Sequence, residues 1–257
     1  MKLGIEGRTA IVLGATSGIG SAIADALAAE GVNIVVVGRD ADRTTARAAQ
    51  LASATPVTAD LTEPDAPATI VAAAESAYGQ VDIVVLNGGG PPPGTADATT
   101  PEAAGDAFGL LVRPHVDLVQ RVLPGMRERG WGRFIAVGSS GVHQPLPNLA
   151  LSNLGRAALA GYLKTLANEV AGDGVTVNMV LPGRIQTERV DKLDRANAEK
   201  AGKAVEDVRA ASMATIPVGR YGRPEEFGAV AAFLAGEPAS YVTGQEIRVD
   251  GGLVRAR

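Results

Sequence analysis

The chain has 257 residues, no Cys and two His, His115 and His143, which excludes disulfides, thiolate metal sites and a cysteine nucleophile and disfavours a multi-histidine metal centre. Its formal charge of −4 lacks the basic footprint of a nucleic-acid binder. No apolar run approaches the ~18 residues of a membrane span, so neither nucleic acid nor membrane is an expected partner. Chemistry is left mainly to Ser, Thr, Tyr, Asn, Lys, Arg and carboxylates, although Tyr (four) and Lys (five) are scarce.

Short apolar runs alternate with longer Ala-rich helical patterns. Thr9 to Gly14 reads as a buried strand. Ser21 to Glu30 reads as a helix, with Ala22, Ile23, Ala26 and Leu27 on one face and Gly31 as its breaker. Asn33 to Val37 is a second buried strand. Further helices are predicted over 41–52, 64–78, 101–129 and 150–171. Further strands are predicted over 56–59, 82–86, 133–138 and 175–181. The polar stretch 184–222 breaks the rhythm and reads as helical, with a substrate lid expected at about 184–215. Glu225 to Leu234 is the last helix and Glu246 to Asp250 the last strand. Continuous Val/Ile/Leu runs suit strands covered on both faces, and the alternation implies an α/β fold with a parallel sheet and right-handed crossovers. A chain of this length buries roughly 70–75% of its unfolded surface as a single domain, expected here over 1–257. The start, Met1-Lys2-Leu3-Gly4-Ile5-Glu6, does not read as a secretory signal, so the expected location is cytoplasmic.

The first strand runs into Gly14-Ala15-Thr16-Ser17-Gly18-Ile19-Gly20, which opens a helix. That context raises a glycine pattern above chance. Glycines allow the tight turn and let backbone N–H groups approach a pyrophosphate, and the helix N-terminus adds its dipole. A ribose-binding acid is expected about 20 residues later. Instead the second strand ends in Gly38-Arg39-Asp40. A guanidinium there suits a 2′-phosphate, which favours NADP(H) over NAD(H). The bland alternative for Arg39 is a solvated loop charge.

With these motifs the chain resembles a classical short-chain dehydrogenase/reductase along essentially its whole length. The family's glycine motif falls on Gly14, Thr16, Ser17, Gly18, Ile19 and Gly20. Its adenine-contacting Asp falls on Asp60, followed by Leu61. Its Asn motif falls on Asn87 and Gly88, and its Pro-Gly motif on Pro182 and Gly183. Ile185 and Thr187 stand where the family contacts the nicotinamide amide. The resemblance implies a single-domain Rossmann-type fold, a doubly wound parallel β-sheet flanked by helices on both faces. It implies hydride transfer to or from a small-molecule carbonyl or alcohol, in the manner of a carbonyl or 3-oxoacyl reductase, in a homotetramer or homodimer.

The family's catalytic group is Asn, Ser, Tyr and Lys. Register against Leu166-Ala167-Asn168-Glu169 places Ser152 at the Tyr position and Arg156 at the Lys position. Ser139, thirteen residues before Ser152, stands where the family's Ser belongs, and Leu111 takes the place of the Asn. Tyr162 lies ten residues beyond Ser152, about 15 Å along a helix, and Lys164 is similarly remote from Arg156. A Ser lacks the phenol's pKa of about 10, and Arg156 is expected to stay protonated with a pKa above about 12. Arg156 either supplies a fixed charge beside a ribose or developing oxyanion, or is a helix-surface or ribose-clamp arginine. His143 is a candidate substitute acid, weighed against a wall or solvent position. Asn148 and Asn153 either orient substrate or serve as caps and surface groups. The leading expectation is an NADP(H)-dependent oxidoreductase with an atypical active site. The alternative is a non-catalytic nucleotide-binding or regulatory protein on the same scaffold, and a dehalogenase-like use ranks below both.

Overall fold

A computed structural model describes residues 1–255. Among these, seven strands form one sheet: β1 (Thr9–Leu13), β2 (Asn33–Gly38), β3 (Ala54–Thr58), β4 (Ile83–Leu86), β5 (Gly132–Val137), β6 (Val175–Pro182) and β7 (Glu246–Val249). All neighbours pair in parallel, in the order β3-β2-β1-β4-β5-β6-β7. The helices are α1 (Gly18–Ala29), α2 (Ala41–Ala48), α3 (Ala66–Tyr78), α4 (Pro101–Leu111), α5 (Arg113–Glu128), α6 (Ala150–Val170), α7 (Glu188–Ala201), α8 (Val205–Ala214) and α9 (Pro224–Ala235). This is the parallel α/β sheet that the alternation implied, in the doubly wound Rossmann-type architecture that the resemblance implied.

Side chains alternate across the sheet with period two. On β1, Ile11 and Leu13 join Ile70, Leu118 and Leu159 in the core beneath α3, α5 and α6. Ala10 and Val12 join Ile23, Leu27, Phe227 and Ala231 beneath α1 and α9. Both faces are therefore dry, which is why the strands read as unbroken apolar runs. α1 and α9 approach so closely that a Cβ on Gly228 would stand 2.5 Å from the Ala22 carbonyl oxygen.

One predicted element divides. The stretch 101–129 forms two helices, because Val112 leaves helical geometry at φ −121° and ψ −58°. Pro114 has no N–H to offer the Leu110 carbonyl, and it sits in the first turn of α5, where that loss costs little. α1 also begins three residues earlier than expected, at Gly18, so the glycine turn supplies its first residues. The polar stretch after β6 becomes α7 and α8. Among the described residues no helix is long and apolar enough to cross a membrane.

The amino ends of the central strands carry a dense polar cluster. Asp82 is fully buried; Thr9 N–H, Gln80 Nε2 and Arg8 Nη1 donate to its carboxylate at 3.0, 3.0 and 3.3 Å, and Arg129 Nε lies 3.8 Å away. Trp131 packs beside it, with the Arg8 and Arg133 guanidiniums 3.9 and 4.2 Å from its ring centroid. Its indole Nε1 donates to Glu237 Oε1 at 2.6 Å. Removing the carboxylate strands a buried amide and an arginine together. Asp82→Ala is therefore expected to lower unfolding free energy by about 2–4 kcal/mol in urea denaturation; a change under about 0.5 kcal/mol, the size of an ordinary surface substitution, would refute the role assigned to Asp82.

Candidate functional site

The turn after β1 is built without spare room. Gly14 and Gly18 hold φ of +61° and +58°, a region that only glycine enters freely. A Cβ on Gly20 would lie 2.2 Å from the Gly14 carbonyl oxygen and 2.8 Å from Asn87 Nδ2. Asn87 Nδ2 donates to the Leu13 carbonyl at 3.0 Å, tying the ends of β1 and β4 together. Ser17, the N-cap of α1, makes no side-chain cap bond, so the first amides of the helix stay open to an anion.

This turn opens on a groove of about 420 Å³. Gly14, Thr16, Ser17, Gly18, Ile19 and Gly20 form its floor. Arg39, Asp60, Leu61, Asn87, Gly88 and Thr187 also line it. Gly38 must be glycine, since a Cβ would press to 2.6 Å from Thr16 Cγ2 and 2.7 Å from Thr44 Oγ1. Arg39 is exposed and, among the described residues, forms no ion pair. Thr62 donates to Asp60 through its amide at 3.0 Å and its hydroxyl at 2.8 Å. These bonds, and more weakly the charge of Arg39, hold the Asp60 carboxyl below its usual range.

A second cavity, of about 560 Å³, adjoins the first and shares Ile19, Asn87, Gly88, Thr187 and Arg189 with it. Ser139, Ser152 and Arg156 line it, as do Pro182, Gly183 and Ile185. Every cofactor candidate named from sequence thus borders one cavity or both. Ser139 Oγ accepts from the Gly141 amide at 3.1 Å, which leaves its own proton free to donate. The walls come from two loops joined by an isolated bridge, Gly94 to Leu149, with the Gly94 amide donating to Asn148 O at 2.9 Å. Asn148 lines the cavity at φ +58°. Asn153 instead clasps Leu146, donating to its carbonyl at 3.0 Å and accepting from its amide at 3.3 Å.

Arg156 is 5% exposed. Its Nη1 donates to Val137 O at 2.6 Å and its Nη2 to Gly89 O at 3.4 Å. Burial, and then the charge of Arg189, push its pKa down to about 10, below the expectation of more than 12. It remains a cation at neutral pH. Leu111 is fully buried and fills the space over Gly155, whose Cβ would come within 2.7 Å of Leu111 Cδ1.

His143 is a correction. The 3₁₀ turn Ser140–Val142 carries it past the cavity, which it does not line, and its Nε2 pairs with Glu246 Oε2 on β7 at 2.8 Å. Tyr162 and Lys164 line neither cavity, and Lys164 Nζ donates to Gly244 O at 2.9 Å. Arg189, which borders both cavities, is a candidate that the sequence reading does not single out. It was lost within a stretch read only as a polar lid, although it lies two residues beyond Thr187. Among the described residues no group of three His, Cys, Asp or Glu is placed to hold a metal.

His115 is buried behind this site, its Nδ1 2.8 Å from Leu111 O. Burial lowers its pKa to about 4; the charge of Arg156 adds to this, and backbone hydrogen bonds at Leu111 and Asn87 oppose it.

The family model described as enoyl-(acyl carrier protein) reductase matches residues 14–254. D-beta-hydroxybutyrate dehydrogenase of Cupriavidus necator is 34% identical, over 97% of this chain and 99% of its own. The NADPH-dependent reductase BacG of Bacillus subtilis is 32% identical, over 97% and 98%. The crystal structure of L-sorbose reductase from Gluconobacter frateurii, complexed with NADPH and L-sorbose, superposes with a TM-score of 0.95 at 33% identity, covering all of both chains.

The depressed pKa of His115 has a definite sign. Between its ordinary value of 6.5 and about 4, the unfolded chain takes up a proton that the folded chain refuses. The contribution to stability is therefore intact above pH 6.5 and is lost as pH falls towards 4. The urea midpoint of His115→Gln is expected to fall less steeply over that window than that of the parent chain. Equal slopes would show that His115 does not titrate as its burial requires.

Proposed function

The chain belongs to the short-chain dehydrogenase/reductase family of oxidoreductases, and from that premise we propose that it interconverts a small carbonyl compound and its alcohol with NADP(H), in an atypical active site. The observation that carries this reading is the junction of the two cavities at Ile19, Asn87, Gly88 and Thr187. A nucleotide laid along the first cavity ends at the mouth of the second.

The groove fits the cofactor in its own chemistry. The side-chain-free floor of Gly14, Gly18 and Gly20 and the open amides of α1 would hold the diphosphate. Asp60 and Leu61 would border the adenine. Arg39 would pair with the 2′-phosphate; that BacG is an NADPH-dependent reductase and the sorbose reductase was crystallised with NADPH supports that choice. Ile185 and Thr187 would meet the nicotinamide side. When bound, the cofactor supplies or accepts a hydride at the junction.

Within the second cavity Ser139 and Ser152 donate hydrogen bonds to the substrate oxygen. Neither hydroxyl is acidic enough to surrender its proton as a phenol does, so the proton comes from water in the cavity. Arg156 adds a fixed positive charge that favours the developing oxyanion. Losing a positioned acid typically costs about 10²–10⁴ in rate, so an electronically activated carbonyl suits this site best. α7 and α8, over about 184–215, form the lid, and half-exposed Phe108 and Leu154 support a homodimer or homotetramer.

The competing reading, cofactor binding without turnover, draws on one fact: no Tyr or Lys lines either cavity. NADPH oxidation measured against a panel of activated carbonyls separates the two, since turnover is expected here and its complete absence alongside tight NADPH binding would favour the competitor. Replacing both serines, Ser139→Ala with Ser152→Ala, is expected to lower kcat about 10²-fold, as for loss of oxyanion donors elsewhere; an unchanged kcat would remove their assigned roles. Arg39→Glu is expected to raise the KM for NADPH about 10- to 100-fold, the worth of a charge-assisted bond, while affecting NADH far less. An equal effect on both coenzymes would count against a 2′-phosphate contact.

A further inference from the structure

The second cavity is lined by three arginines, Arg156, Arg184 and Arg189, and by no Asp or Glu. They differ in what balances their charge. Arg184 Nη1 faces Asp194 Oδ1 at 3.5 Å. Among the described residues neither Arg156 nor Arg189 forms an ion pair with a carboxylate. Arg156 meets only two neutral carbonyls, those of Val137 and Gly89, which leaves part of its five-donor fork unused. Arg189 reaches across from α7 to the loop after β4, where its Nη2 would stand 2.6 Å from a Cβ on Gly90. Two uncompensated cations therefore border one cavity, and one of them is almost wholly removed from water.

We infer that the substrate of the proposed reaction carries a carboxylate one or two carbons from its reacting carbonyl, with Arg156 as the anchor and Arg189 closing on it from α7. The inference rests on the reading of the cavity as a carbonyl site. Spacing sets the distance. Arg156 Nη1 holds Val137 O at 2.6 Å, two residues before Ser139, and Ser152 lies one turn from Arg156 on α6, so the carbonyl and the anion are near neighbours in the same molecule. A carboxylate matches a guanidinium fork with two parallel bonds. It would also relieve both causes that depress the Arg156 pKa, burial without a counter-charge and the facing Arg189. The remaining walls, from Leu146, Leu149, Val190, Leu193 and Leu253, suit an apolar chain on the far side of the carbonyl.

The test has a binding arm and a turnover arm. N-propyloxamate and its neutral amide, N-propyloxamide, are titrated calorimetrically into the protein with and without NADP⁺. 2-Oxohexanoate and 3-oxohexanoate are then compared with their methyl esters in NADPH oxidation. The oxamate is expected to bind about 10- to 100-fold more tightly than the amide, and at least one acid to exceed its ester by a similar factor in kcat/KM. Arg156→Met should erase both preferences and Arg156→Lys restore part of them, with NADPH titration reporting whether each variant is folded. If Arg156→Met does not fold, the acid and ester comparisons on the parent chain decide alone. No preference for the anion in either arm overturns the inference, and if esters are nevertheless reduced the carbonyl-reductase reading stands without it. Oxamate binding that depends on Arg156, with no carbonyl turned over, would leave the anion site standing and remove the catalytic reading.

Discussion

The hydrogen bond from Asn87 Nδ2 to the Leu13 carbonyl closes the point where the sheet reverses its order. β1 connects outward to β2 on one side, and β4 outward to β5 on the other. Helical connections leaving in opposite directions open a crevice between these neighbours at their carboxyl ends. Asn87 spans that crevice with its side chain and presses against both Gly14 and Gly20. The narrow turn, the forward start of α1 and the floor of the nucleotide groove form around this one contact. Both cavities border Asn87, so the position of one relative to the other is set there.

The two ends of the sheet treat buried charge in opposite ways. At the amino ends Asp82 is satisfied from every side, by an amide, a carboxamide and arginines. At the carboxyl ends Arg156 is buried against neutral carbonyls beside a second cation. Burying an incompletely paired charge costs stability. Such a conflict between local comfort and position is characteristic of a site arranged for a ligand. The under-paired Arg156 stands at the end where the cavities open, and the well-paired Asp82 carboxylate at the other.

Much of this was legible in the sequence, for identifiable reasons. Unbroken runs such as Ile34 to Val37 mark strands covered on both faces. The glycine turn was legible because its backbone geometry demands that residue type, while Asp60, Asn87 and Thr187 were legible through the family resemblance. The single helix expected over 101–129 failed because an apolar period does not record a break at Val112, although Pro114 supplied the warning. His143 failed for a related reason: four residues of separation from Ser139 say nothing about direction once a 3₁₀ turn intervenes. Arg189 was hidden because a charged side chain in a polar helix looks solvated until the opposite wall is known. The anionic preference was equally invisible, since it depends on which acids are absent from a surface assembled from five separate segments.

Trp131 has a consequence for how the molecule can be observed. It is the chain's only tryptophan, and it stands just before β5, between two arginines and Glu237. The cavities lie at the far end of the same strand, about 20 Å away at the rise of a β-strand. Intrinsic indole emission is therefore a gauge of the compensated pole. It registers loss of the arginine–aromatic stack when the sheet comes apart, and it stands far from any rearrangement of α7 and α8 at the opposite pole. A fluorescence signal from this protein measures the integrity of the scaffold, and a silent one carries no information about whether the cleft is open or closed.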